Sequence, residues 1–278
     1  MTGLPPDAGL VARLRAAGCV FAEDEAALLL GQDVDADALE ALVVRRCAGE
    51  PLETVLGWAQ FAGLRVHVAP GVFVPRTRTE LLVDLVDALL DGGGGSAGAD
   101  GATVADDAQR PVVVDLCCGT GAVGAAVAAR HPSAVVHATD VDPAAVACAR
   151  RNLPPDRVHA GDLFAALPGA LRGRVDVLVA NAPYVPTDAI ATMPPEAREH
   201  EARVALDGGA DGLAVHRRIV AHVRPWLAAG GAVVIEAGLR QAPTTARLLE
   251  AHGFVATVHR DDARDGTAVV GRLPRGAA

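Results

Sequence analysis

The sequence predicts an α/β protein: a doubly wound, largely parallel sheet ending in an antiparallel strand pair, preceded by a small helical domain and a β-hairpin. Three observations predict it. From Pro111 onward, short apolar runs alternate with helical segments, the pattern of parallel strands joined by crossover helices. The last two apolar runs, Phe254–His259 and Thr267–Leu273, are joined by a polar turn too short for a parallel crossover, so they must pair antiparallel. Ahead of Asp91, apolar residues recur mainly at helical spacing.

In order, Leu10, Leu14 and Ala17 mark a first helix, and Ala26, Leu29 and Leu30 a second. A third runs from Asp37 to Cys47, capped by Asp35 or Asp37. Phe61–Val68 then alternates, Pro70-Gly71 offers a turn and Val72–Val74 follows, which predicts a hairpin. Thr79–Leu90 returns to helix. From Asp91 to Arg110 the chain is Gly, Ala, Asp and Gln without apolar period, the composition of a flexible linker. Strands are then expected at Val112–Leu116, Ala134–Asp140, about Arg157–His159, Val175–Ala180 and Gly231–Glu236. Helices are expected at Gly121–Arg130, Pro143–Asn152, Gly212–Leu227 and Gln241–His252. Asp142 and Pro143 form a cap-and-first-turn pair. The expected domains are a helical domain at 1–57, a hairpin and helix connector at 58–90, a linker at 91–110 and the sheet domain at 111–278.

Composition narrows the function. With 278 residues, 51% of them hydrophobic, the chain can bury a real core. No apolar stretch reaches the roughly 18 residues of a membrane span. Met1–Leu10 has neither a basic run nor an apolar core, so no secretory leader is expected. The net charge is −9 and no Lys occurs, a poor basis for tracking a phosphate backbone. Five cysteines, an odd number in a chain of this size, argue against a disulfide framework and for a reducing compartment. Cytoplasm is the expected location, without a membrane or nucleic-acid partner and without a metal.

Four motifs carry the chemistry. Asp115-Leu116-Cys117-Cys118-Gly119-Thr120-Gly121 runs from a strand through a glycine turn into a helix, where backbone can approach a ligand closely. Asp140 ends the next strand, placed to accept from both hydroxyls of a ribose. Gly161-Asp162-Leu163-Phe164 follows the third strand; Asp162 would accept from an adenine amino group, with Leu163 and Phe164 walling the ring. The glycine turn and Asp140 fit a nicotinamide dinucleotide and S-adenosylmethionine (SAM) equally well. The fourth discriminates. A buried strand ends in Asn181-Ala182-Pro183-Tyr184, which contains the sequence's single tyrosine. An Asn amide oxygen, an adjacent carbonyl and a flat ring can together hold a planar NH₂ group.

Asn181–Tyr184 resembles the Asn-Pro-Pro-Tyr motif of SAM-dependent amino methyltransferases. Further segments are similar to the HemK/PrmC family of protein-(glutamine-N5) methyltransferases: Glu50–Gly57 with Phe61–Leu64, Val74-Pro75-Arg76 through Thr79-Glu80, and Glu201 through Ala205–Leu213. Together they run from about Leu10 to Leu273. Ala182 stands where the family has its first Pro, Cys117-Cys118 where it has Gly-Thr, and Thr77-Arg78 where it has Pro and an acid. The helical part is short around Gly31–Asp35, and such departures suit a divergent branch whose substrate is unassigned. The resemblance implies a doubly wound Rossmann-like SAM-methyltransferase sheet at 111–278. It implies SAM as cofactor, held by Asp115, Cys117, Cys118, Gly119, Thr120, Gly121, Asp140, Asp162, Leu163 and Asn181. The catalytic and substrate-binding turn is Asn181, Ala182, Pro183 and Tyr184, acting on a glutamine of a release-factor-like protein. His200 and His216 are expected at the surface or at minor helix positions, and the protein is expected to be a monomer. The competing readings are methylation of a small-molecule amine or amide, adenine N6 methylation, a non-catalytic SAM-binding module and an NAD-dependent oxidoreductase. The last explains the glycine turn and Asp140 but leaves Asn181–Tyr184 without a role.

Overall fold

The computed structural model describes residues 7–92 and 110–274. Five apolar runs become parallel strands: β3 (Val112–Leu116), β4 (Val135–Asp140), β5 (Val158–Ala160), β6 (Val175–Ala180) and β7 (Leu227–Glu236). With β8 (Val255–Asp261) and β9 (Gly266–Arg272) they form one sheet in the order β5-β4-β3-β6-β7-β9-β8. β9 lies antiparallel to both β7 and β8, as the short connection requires. The central strands are apolar at every position because both faces are covered. Val113, Val177, Val179, Val234 and Val270 point into one core, and Val112, Val114, Leu178, Val233 and Val269 into the other.

Helices α5 (Glu80–Gly92), α6 (Ala122–Arg130) and α7 (Pro143–Ala149) cover the first face. Helices α9 (Ala214–Val223) and α10 (Ala242–Ala251) cover the second. Asp142 caps α7 through the Ala144 amide at 2.8 Å. Asp91 and Gly92 close α5 rather than opening a linker. The rest of the Gly-rich segment, residues 93–109, lies outside the described residues.

Ahead of the sheet, α1 (Ala8–Ala16), α2 (Ala22–Leu30), α3 (Ala36–Cys47) and α4 (Leu52–Leu56) pack around Leu14, Ala26, Leu29, Val43 and Val55, a core of their own. Asp35, not Asp37, caps α3. Beneath this bundle, Arg46 is buried and holds Glu25 at 2.6 and 3.0 Å. Its remaining amine reaches Glu196, at 2.7 Å, on the short helix α8 (Pro195–His200), which ties the bundle to the sheet domain.

The hairpin differs from the sequence expectation. It pairs β1 (Trp58–Phe61) with β2 (Leu64–His67), and the turn is Ala62-Gly63, not Pro70-Gly71. Both turn residues have positive φ, 49° and 83°, the geometry whose twist matches a two-residue hairpin. Val72–Val74 is irregular and leads toward the cleft.

Candidate active site

All five parallel strands deliver a polar or glycine-bearing segment at their carboxyl ends. The chain reverses its direction of travel across the sheet between β3 and β6, and ligands of open α/β sheets bind there. A cleft of about 540 Å³ opens at this point, within the usual range for a small-molecule site. Among the described residues, no cluster of three or more His, Cys, Asp or Glu side chains is arranged to hold a metal ion.

The β3 turn forms one wall. Cys117, Gly119 and Gly121 all have positive φ, at 59°, 54° and 74°. A Cβ on Gly121 would sit 3.1 Å from both Ala149 and Leu153, so the tight seat against α7 as well as the backbone angle selects glycine. Cys117, Cys118, Gly119 and Thr120 line the cleft. Burial pushes both thiols well above their ordinary value, so they are neutral packing groups rather than nucleophiles.

Asp115 is almost fully buried and accepts from the Gly124 amide at 2.9 Å. It therefore pins the first turn of α6 to the end of β3. Burial, with Asp140 nearby, raises its pKa to about 7. Asp140 also lines the cleft, but its carboxylate is already engaged by backbone. One oxygen accepts from the Gly119 amide at 2.8 Å and the other from the Asp142 amide at 2.9 Å. It has lone pairs left for a ligand, yet it also shapes the glycine turn. Beside it, the buried Thr139 hydroxyl lines the cleft and has no hydrogen-bond partner. Leu163 is buried at φ 47°, and Asp162 is paired to Arg218 at 2.5 Å. A carboxylate with lone pairs to spare, a hydroxyl without a partner and an apolar wall share this cleft, a set that fits the ribose and adenine of SAM.

The β6 turn faces the same cleft. Asn181 donates from Nδ2 to Thr79 Oγ1 at 3.3 Å, which turns the opposite, accepting edge of the amide away from that contact. Ala182 is buried. The Tyr184 hydroxyl donates to Glu236 Oε1 at 3.1 Å, and Arg78 Nε lies 3.5 Å from the same oxygen. Thr79 also bonds the Glu236 carboxylate, whose pKa burial raises despite these partners. Burial next to that carboxylate raises the Tyr184 pKa to about 12. Tyr184 is thus anchored at its tip, beyond the flat wall expected of it.

Two loops wall the cleft beside this turn. Glu201, buried, accepts from the Val74 amide at 3.1 Å and from Arg76 at 2.5 Å. The chain after Tyr184 pairs with the 206–209 stretch through Val185 and Thr187. His216 is fully buried against Thr245 at 3.0 Å, not at the surface; burial lowers its pKa to about 4.

Comparison with known proteins places the chain in a family. A family model described as "Methyltransferase small domain" matches residues 102–209. The release factor glutamine methyltransferase of Streptomyces coelicolor is 39% identical over 208 residues, covering 73% of this chain and 69% of that one. The Geobacter sulfurreducens protein of the same name is 34% identical over 238 residues, covering 84% and 77%. The chain belongs to the release factor glutamine methyltransferase family. A methyltransferase from Pyrococcus furiosus shares the fold, with a TM-score of 0.52 at 16% identity over 84% of this chain and 96% of that one.

In this family member the four segments marked in the sequence line one cleft, and the residues that support them went unmarked or unread. Glu236 ends an otherwise apolar strand, a signal that was available: a charge at the carboxyl end of a central strand has no packing reason to be there. Arg78, Gln241 and Asn152 had no such mark. Asn152 bonds the His67 backbone in both directions and the Thr120 carbonyl at 2.8 Å, which stitches β2 to the glycine turn.

Proposed function

We propose that this methyltransferase transfers a methyl group from SAM to the side-chain amide nitrogen of a protein glutamine, the Gly-Gly-Gln glutamine of a peptide release factor. One observation carries the reading. The Asn181–Tyr184 turn and Asp140 line a single cleft, and Asn181 is tied through its nitrogen to Thr79, so its oxygen remains for the acceptor.

SAM, when bound, supplies a methyl group already activated by its sulfonium. Asp140 and Thr139 would hold its ribose end, with Leu163 against the base and the Gly119–Gly121 turn along its length. The acceptor is the harder half, because an amide nitrogen is a weak nucleophile with a delocalised lone pair. Asn181 Oδ1 and the Ala182 carbonyl accept its two N–H bonds and stabilise the positive charge that develops on nitrogen. They also fix the plane of the amide, and Tyr184 walls it, so the nitrogen is oriented before reaction. The Glu236–Arg78–Thr79 cluster holds Tyr184 and Asn181 in those positions.

A helical domain at 1–57, a hairpin and helix connector from 58 and a sheet domain at 111–278 form part of the same proposal, as do a monomeric state and a cytoplasmic location. No helix among the described residues is long and apolar enough to cross a membrane.

The test is to incubate the protein with labelled SAM, purified release factors and cell extract, then map label by peptide mass spectrometry. A gain of about 14 Da on the Gly-Gly-Gln glutamine supports the reading. Label confined to RNA, DNA or metabolites refutes the protein substrate.

A further inference from the structure

Gln241 lies just ahead of α10 and outside the cleft. Its amide nitrogen donates to two backbone carbonyls at once, Tyr184 at 2.9 Å and Asp211 at 3.0 Å. Its amide oxygen accepts from the Gly238 amide at 3.2 Å, which settles which end of the amide faces the two carbonyls. The first carbonyl belongs to the acceptor turn. The second belongs to the loop that pairs with the chain following that turn: Val185 donates to Leu206, and Gly208 donates back to Val185 at 2.8 Å.

The seat around Gln241 leaves no slack. A Cβ on Gly212 would lie 2.2 Å from the Tyr184 carbonyl oxygen and 2.3 Å from Gln241 Nε2. Two carbonyl oxygens converge on one NH₂ group, and nothing longer than a hydrogen fits beside them.

We infer that Gln241 is a positioning residue for methyl transfer: one side-chain amide clasps the acceptor turn to the 206–213 loop and so sets the height and plane of Tyr184 and its neighbours over the cleft. The inference rests on the reading of Asn181–Tyr184 as the acceptor turn. Gln241 touches neither ligand nor reacting atoms. Its effect is expected on the orientation of the acceptor and not on the far end of the cleft, where Asp140 and Thr139 sit.

The polarity of the clasp supplies the test. Gln241→Glu keeps the shape but faces two carbonyl oxygens with a carboxylate at pH 8; once protonated, the acid can donate to one of them. Turnover of release factor by Gln241→Glu is expected to fall 10- to 100-fold at pH 8. Relative to wild type measured at each pH, it is expected to recover severalfold by pH 6. SAM affinity, by calorimetry, is expected to stay within twofold. Gln241→Met, apolar and of similar size, is expected to show the loss at every pH. Hydrogen exchange at the Gly208 and Gly212 amides is expected to quicken in both variants, with α6 and α7 unchanged. This readout needs no substrate, so it decides the inference even if wild type methylates no release factor, a result that would instead sink the proposed function. Wild-type exchange at Gly208 and Gly212, or a loss of SAM affinity in step with turnover, would overturn the inference.

Discussion

Asp115 makes a quantitative test of how the cleft is built. Its carboxylate is almost fully buried, keeps one backbone donor, the Gly124 amide, and has Asp140 nearby. Its pKa rises from an ordinary 3.8 to about 7, chiefly because burial penalises the charged form. The direction follows from linkage. Between those two values the folded protein keeps a proton that the unfolded chain has released, so stability falls as pH rises and the contribution is lost once pH passes the folded pKa. At about 1.4 kcal/mol per pH unit, the interval between pH 5 and pH 8 amounts to ~2–3 kcal/mol from this residue. Asp115→Asn keeps an acceptor for Gly124 and never ionises. The difference in unfolding free energy between wild type and Asp115→Asn should therefore move in favour of the variant by that amount from pH 5 to pH 8. In urea, with a slope near 3 kcal/mol/M for a chain of this size, the relative midpoint should shift by about 1 M. The measurement uses ligand-free protein, with unfolding followed by circular dichroism. Parallel pH profiles for the two proteins would show that Asp115 is not a buried, proton-retaining acid and would refute the reasoning.

Three further outcomes follow from the same geometry. In the proposed mechanism Asn181→Ala removes one of the two acceptors for the amide N–H bonds, so turnover should drop roughly 10²–10³-fold with SAM affinity changed far less; an equal loss in both would remove Asn181 from the proposed acceptor site. Tyr184→Phe should cost about tenfold in turnover, because the buried Glu236 carboxylate loses a donor at 3.1 Å but keeps Arg78 beside it; wild-type turnover would show that the hydroxyl anchors nothing. Asp140→Ala should weaken SAM binding by more than lost ribose contacts alone, roughly 100-fold or beyond, because it also frees the Gly119 and Asp142 amides; calorimetry showing less than a tenfold loss would contradict both roles.

Much of this was legible in one dimension. The sheet's strands are apolar runs because both faces are buried, and period and run length survive without knowledge of what packs against them. The short link between β8 and β9 dictated an antiparallel pair. Gly119–Gly121, Asp140, Asp162 and Asn181–Tyr184 each follow or end a parallel strand, so they could be placed at one edge of the sheet, where they line one cleft, before any contact was known. Tertiary structure decided the rest, because it depends on partners far apart in sequence. The hairpin turn fell at Ala62-Gly63 once pairing register and twist were set. His216 went into the core because Thr245, 29 residues away, meets its ring. Asp140 proved to be engaged because the Gly119 amide folds back onto it. Glu236 was marked by its charge at the end of β7, but its bond to Tyr184, like that of Gln241 to the Tyr184 carbonyl, formed only when β7 was laid beside β6: a hydrogen bond across 50 residues or more leaves no local periodicity, and only folding creates it.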